Sequence, residues 1–241
     1  MPDEIKTDPY TGNEILSEQV LRGTRKVIAD SLMDSYRNKI HASSFKYLEI
    51  KTLREFKEKL QKGSIVDHFI RAVALSLAQK PELNATYENG IYRIYRDANV
   101  AYAVNTKRGL VTPVLRKADT LDLSGFIQNR KSLISEVMDW KHQVSDLLGG
   151  TFTITNMGNF GIDFTHPIIN PPQVAILGMA RICRLAISWD ANHDDSGIIE
   201  PKELLPVSLT YDHSVIDGAA VAEFLQALQD KVNNPEILWN S

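Results

Sequence analysis

The stretch LPVSLTYDHSVIDGAAVAEFLQAL, Leu205–Leu228, joins two kinds of periodicity in one short run. Its first half alternates, which predicts a strand with Val207, Leu209, Tyr211 and His213 on one face and Ser208, Thr210 and Asp212 on the other. From Ala219 to Val232 the spacing is helical, with Val221, Phe224, Leu225, Leu228 and Val232 on one side. Asp217-Gly218 between them has the form of a tight turn ending near a helix N-cap. His213 therefore stands where a dry strand face meets the turn. Burial disfavours the imidazolium there, and a neutral imidazole with a free nitrogen is a ready general base. Asp217 could orient His213 directly, or hold the turn through backbone donors or a cation. By spacing alone, a histidine ending a strand is more often structural, and Asp-Gly before a helix is usually a cap. The segment gains meaning only with company.

That company is GGTFTITNMGNFGIDFTHPIINPPQVAILGMARI, residues 149–182. Phe152 and Ile154 face one way, and Thr153 and Thr155 the other. Asn156, Gly158 and Gly161 follow in a loop whose backbone is predicted to approach a ligand closely. Thr155, at a strand end beside that loop, is a candidate hydroxyl donor to an oxyanion. Asn170 and a double proline precede another buried strand.

Working outward, residues 1–20 show little periodicity and read as a flexible arm or linker, with one domain over 21–241. Ile28, Leu32 and Tyr36 mark one face of a first helix, and SSFKYLEIK a strand. Leu53, Phe56 and Leu60 mark a second helix. Ser64 and Asp67 have capping-box spacing ahead of a third, with Val66, Phe69, Ile70, Val73 and Leu77 as its core stripe. IYRIYRDANVAYAVNT and GLVTPVLRKA read as strands. LDLSGFIQNRKSLISEVMDWKHQV reads as a helix broken by Gly149-Gly150, and QVAILGMARICRLAIS as one more strand. Helices and strands without regular βαβ alternation predict an α/β or α+β layered domain with a mixed sheet.

Composition narrows the function classes. The chain has 241 residues, 43% apolar and 24% charged, ample for a core. A net charge of −3 gives no general pull toward nucleic acid or anionic lipid. No apolar run approaches the roughly 20 residues that span a bilayer. The acidic, polar N-terminus resembles neither a secretory signal nor a transit peptide. Cys183 is the single cysteine, so no internal disulfide and no cysteine cluster for a metal is available. It is expected to be a buried packing thiol in a protein of a reducing, cytoplasmic compartment, or of the mitochondrial matrix if the chain is eukaryotic and processed. Arg22, Arg25 and Lys26 cluster, and read as a solvated helix face.

Together these stretches closely resemble the catalytic domain of the dihydrolipoamide acyltransferases, the cores of 2-oxoacid dehydrogenase complexes. The family signature Asp-His-Arg-x-x-Asp-Gly is matched by Asp212-His213-Ser214-Val215-Ile216-Asp217-Gly218. LRGTRKVIADSL, GLVTPVLRKADT, GGTFTITNMGNFG and IINPPQVAILG match further blocks in order, over about residues 20–240. The resemblance implies a chloramphenicol acetyltransferase-like fold, with a mixed β-sheet flanked by helices. It also implies a homotrimer whose sites lie between subunits, coenzyme A as substrate, and no metal. In such a site His213 is the general base, Thr155 the oxyanion donor where the family usually has serine, and Asp217 the residue holding the histidine loop. Asn156, Gly158 and Gly218 fall beside them as substrate-binding candidates. Base and hydroxyl of one site come from neighbouring subunits in that family. The implied partners are a lipoyl-bearing domain or protein and the decarboxylase and dihydrolipoamide dehydrogenase components.

Three departures stand out. Ser214 replaces the family's arginine, so either another basic residue holds Asp217 or the loop is less rigid. Thr155 keeps the hydroxyl but restricts its rotamer. Arg108 stands where aspartate is frequent. The chain has no room for lipoyl or peripheral-subunit-binding domains, so its acyl donor is expected on another domain or chain, or is a different thioester. NNPEILWNS resembles the family's apolar hook, which either docks into a neighbouring trimer to build a cage or covers its own core. Two other functions compete: transfer to another small acceptor, and a structural core that has lost catalysis.

Overall fold

A computed structural model describes residues 6–186 and 201–239. In chain order the elements are α1 (Gly23–Asn38), β1 (His41–Glu49), α2 (Lys51–Leu60), α3 (Ile65–Gln79), β2 (Ala85–Glu88), β3 (Ile91–Ile94), β4 (Val100–Tyr102), β5 (Val104–Thr106), β6 (Gly109–Val111), β7 (Val114–Leu115), α4 (Leu123–Met138), β8 (Phe152–Asn156), β9 (Ala175–Met179), β10 (Cys183–Leu185), β11 (Lys202–Asp212) and α5 (Gly218–Asn233). One mixed sheet runs β1-β11-β9-β8-β4-β7, with β10 also on β11; β2-β3 and β5-β6 are separate hairpins. Among the described residues, the parallel pairings are those of β8 with β4 and β9.

The two faces of the sheet differ in chemistry. Leu48, Val207, Leu209, Leu177 and Ile154 point into the main core with α2, α3 and α5. The opposite face carries Ser208, Thr210 and Asp212 of β11 and Thr153 of β8, all buried. Its hydroxyls are mostly paired: Thr210 with Ser43 at 2.7 Å, and Thr153 donating to Gln173 at 2.6 Å. A Cβ at Gly178 would lie 2.6 Å from Ser208 Oγ and collide with Thr165, so glycine is what lets the 162–167 segment lie against this face.

The capping box at Ser64 and Asp67 is present, each side chain bonded to the other's backbone N–H. Asp67 also takes an ion pair from Arg130 of α4. Other expectations shift. The helix expected up to Val144 stops at Met138 because Trp140 adopts φ +59° and the Lys141 N–H reaches back to the Glu136 carbonyl, a Schellman closure. The strand expected across QVAILGMARICRLAIS is two strands, β9 and β10, both on β11. The break lies beside Pro206, whose carbonyl accepts from Ala180 N while its ring nitrogen has no hydrogen to give. The end of that stretch lies outside the described residues. Cys183 is half-buried rather than buried; burial still raises its pKa, which makes it a poor nucleophile. Tyr36, expected on the packed face of α1, is 72% exposed, and Ile28 and Leu32 are only partly covered.

Leu238 is fully buried, and Trp239 lies edge-on to Phe126 and His68. The buried Arg71 guanidinium donates to the Leu238 carbonyl at 2.7 Å and lies over the Trp239 ring. Residues 235–239 thus lie against the chain's own core, with Ile237 left half-exposed.

Candidate active site

His213 follows directly on β11. Its backbone N–H donates to the Ile40 carbonyl at 2.7 Å, and its ring is exposed, tilted against Tyr211 at 5.5 Å. The ring thus keeps the side of the sheet that alternation assigns it, but it stands in the open rather than at a dry wall.

The residue that ties this corner together is Asp212. It is 0% exposed. Its Oδ1 accepts from Ser214 Oγ at 2.6 Å, Ser214 N at 3.1 Å and Ile40 N at 3.2 Å, and its Oδ2 faces Lys39 Nζ at 3.5 Å. Its carbonyl accepts from Val215 and Ile216. Asp217, by contrast, is exposed at the N-cap of α5 and makes no capping bond through its side chain. Gly218 opens that helix, with Tyr211 Oη the nearest atom to the place a Cβ would take. Sequence reasoning passed over Asp212 as one polar residue of an alternating strand. The signal for it is Ser214 two residues on, the spacing of an Asx-turn.

Thr155 lies near the end of β8, half-buried, in a cavity of about 420 Å³. Ile28 and Leu32 of α1, Leu110, Thr153, Asn170 and Ile176 share that cavity, and among the described residues no ionisable side chain lines it. Asn156 and Gly158 do not belong to it. They line a smaller cavity, about 180 Å³, with Leu53, Phe69 and Arg181. A Cβ at Gly158 would meet the Ala180 carbonyl at 2.6 Å, so the close backbone approach here is to the protein itself.

His41 joins the two corners and was missed by sequence reasoning. Its Nδ1–H donates to the Lys39 carbonyl at 3.2 Å and its Nε2 accepts from Ile169 N at 3.3 Å, which fixes a neutral ring. Burial pushes its pKa down, with the Lys39 carbonyl and Asp212 opposing. Arg108, the departure ahead of Gly109, stacks over Trp140 at 4.9 Å. Of the basic cluster on α1, Lys26 is ion-paired with Asp30 one turn on.

The profile described as 2-oxoacid dehydrogenases acyltransferase (catalytic domain) matches residues 14–239. The chain belongs to this family. It is 36% identical over 222 residues to the dihydrolipoyllysine-residue succinyltransferase component of the Haemophilus influenzae 2-oxoglutarate dehydrogenase complex, covering 88% of this chain and 52% of that protein. The human mitochondrial counterpart is 31% identical, covering 96% of this chain and 52% of the relative. The chain thus spans about half the length of these curated relatives. Among solved structures, the Azotobacter vinelandii dihydrolipoamide acetyltransferase, whose mechanism was investigated through a serine, a histidine and an asparagine, superposes with a TM-score of 0.86 at 26% identity over 98% of both chains. The cubic core of a pyruvate dehydrogenase complex gives 0.85, again at 26% identity and 98% of both. Chloramphenicol acetyltransferase, at 0.56 and 14% identity over 84% of this chain and 94% of its own, shares the fold expected from the sequence. No helix of the described residues is long and apolar enough to cross a membrane, and none of those residues forms a group of three metal-ligating side chains.

Proposed function

We propose that this domain transfers an acyl group between dihydrolipoamide and coenzyme A at a site built by two copies of the chain. The carrying observation is a separation. Thr155 is level with Ser208 across β9. His213 lies five positions further along β11, about 16 Å, and two strand spacings across, about 10 Å. The hydroxyl lines a cavity that among the described residues has no ionisable side chain in its wall, and the imidazole stands exposed at the end of β11. Each half is what the other lacks, and the uncovered stripe of α1 borders the hydroxyl half. This supports an oligomer, read as a homotrimer, in which His213 of one copy meets Thr155 of the next.

The chemistry needs no covalent enzyme intermediate. His213 takes the proton from the attacking thiol as sulfur bonds to the thioester carbonyl carbon, since a free thiol with a pKa of about 8.5 is mostly protonated at neutral pH. The hydroxyl of Thr155 donates to the oxygen of the tetrahedral adduct. Collapse of the adduct breaks the other carbon–sulfur bond, and the imidazolium returns its proton to the leaving sulfur. The lipoyl group comes from another domain or chain. The wider partners are the decarboxylase and dihydrolipoamide dehydrogenase of a 2-oxoacid dehydrogenase complex, in the cytoplasm or matrix. His213→Ala is expected to lower transfer between acyl-coenzyme A and dihydrolipoamide by about 10³ or more while leaving the native mass unchanged. Parent-like turnover in that variant would refute the reading. Running succinyl- and acetyl-coenzyme A side by side identifies the acyl group.

A further inference from the structure

The family signature has arginine directly after the histidine, and this chain has Ser214. The cation has not been lost from the corner. Lys39, from the turn between α1 and β1, places its ammonium 3.5 Å from Asp212 Oδ2, with its side chain 4% exposed and that of Asp212 0% exposed. The same ammonium donates to the Tyr87 carbonyl at 3.2 Å and lies 5.8 Å from the centre of the Tyr87 ring. A buried carboxylate without a cation would carry a large desolvation cost. Ser214 supplies a hydroxyl to the other oxygen of that carboxylate but no charge.

Taking His213 as the base of the proposed reaction, we propose that Lys39 is a positioning residue: it neutralises Asp212 in place of the missing arginine and so fixes the loop that presents His213. Both ends of that loop hang on the pair. The Lys39–Ile40 segment receives the His213 N–H through the Ile40 carbonyl, and gives the Ile40 N–H to Asp212. Asp212 in turn holds Ser214 by side chain and Val215 and Ile216 by backbone. Without the ammonium, a carboxylate buried at this depth is left uncompensated and is driven toward water, which weakens the bonds that set the position of the ring.

The test compares the whole chain with Lys39→Met and with Lys39→Met/Ser214→Arg, which returns the cation from the family's position. Two readouts are taken: hydrogen–deuterium exchange over residues 212–218, and kcat and KM for acyl transfer. Lys39→Met is expected to speed exchange across the loop and lower kcat about tenfold or more, with KM within about twofold. Arginine at 214 is expected to restore both. Parent-like exchange and kcat in Lys39→Met, or a loss that arginine does not restore, overturns the proposal. Should methionine prevent folding, Lys39→Gln removes the charge but keeps a donor, and parent-like behaviour there overturns it equally. If the parent itself transfers no acyl group while loop exchange rises and recovers as described, the positioning role stands and the proposed reaction fails.

Discussion

Thr155 is level with Ser208 across β9, with Gly178 as the shared register mark, whereas His213 lies five positions further along β11. A single copy cannot bring the two side chains together, because strand pairing fixes their offset along the sheet. Activity from this pair therefore needs a second copy, and mixed oligomers test it. Thr155→Val and His213→Ala chains, each inactive alone, are expected to regain activity on co-expression with two tags. In each doubly tagged trimer, one of the three sites would then join an intact hydroxyl to an intact base. Doubly tagged oligomers without activity would count against the shared site.

The hydroxyl itself is tested within one chain. Thr155→Val keeps the shape and removes the donor, and is expected to lower kcat about 10² to 10³ with little change in KM. Thr155→Ser should stay within about tenfold of the parent. Equal kcat in valine and parent would leave Thr155 as a wall residue.

Acid sensitivity follows from two histidines. The buried His68 ring donates through Nε2 to the Lys62 carbonyl at 2.9 Å and accepts at Nδ1 from Trp239 at 3.0 Å, so it folds neutral. Burial lowers its pKa, as it does for His41. A folded value below the unfolded one, about 6.5, means unfolding takes up protons as pH falls through that region. The denaturant midpoint should be steady above pH ~7.5 and decline between about pH 7 and 5. Asp67 acts lower: burial raises its pKa, but bonds from Arg130 and Ser64 outweigh that and hold it down, so its contribution fades only below the unfolded carboxylate value. A midpoint flat from pH 7.5 to 5 would contradict the histidine assignment.

Trp239→Ala should destabilise the fold by about 2 kcal/mol or more, since it empties a site against Phe126 and leaves His68 Nδ1 without its donor. Equilibrium denaturation reads this directly. An unchanged midpoint would mean that the C-terminal segment does not rest on its own core in solution.

Ser64→Ala should cost about 1 kcal/mol, because the hydroxyl caps the Asp67 N–H. Ser64→Thr should recover most of it. The same denaturation curves decide it, and no change would mean that Asp67 and Arg130 hold that end alone.

Much of the fold was legible in the residues because helix and strand periods are properties of short windows. α3 with its capping box, β8 and the turn from β11 into α5 stand where the patterns of Val66–Leu77, Phe152–Thr155 and Val207–Val232 put them. The same local rules failed where the deciding partner was distant. Trp140 ends α4 while stacked under Arg108, and the break between β9 and β10 lies beside Pro206 of another strand.

Local residue patterns were enough for the kinds of element, the imidazole at the end of β11 and the hydroxyl at the end of β8. All of these follow from backbone geometry over a few neighbouring residues. It took the folded chain to show that Asp212 rather than Asp217 is the buried carboxylate of the histidine loop. The fold alone showed that Lys39, distant in sequence, faces that carboxylate, and that strand register holds Thr155 and His213 apart within one copy. Strand order and register set those relationships, and they depend on which segments pair across the whole chain, which no short window of sequence contains.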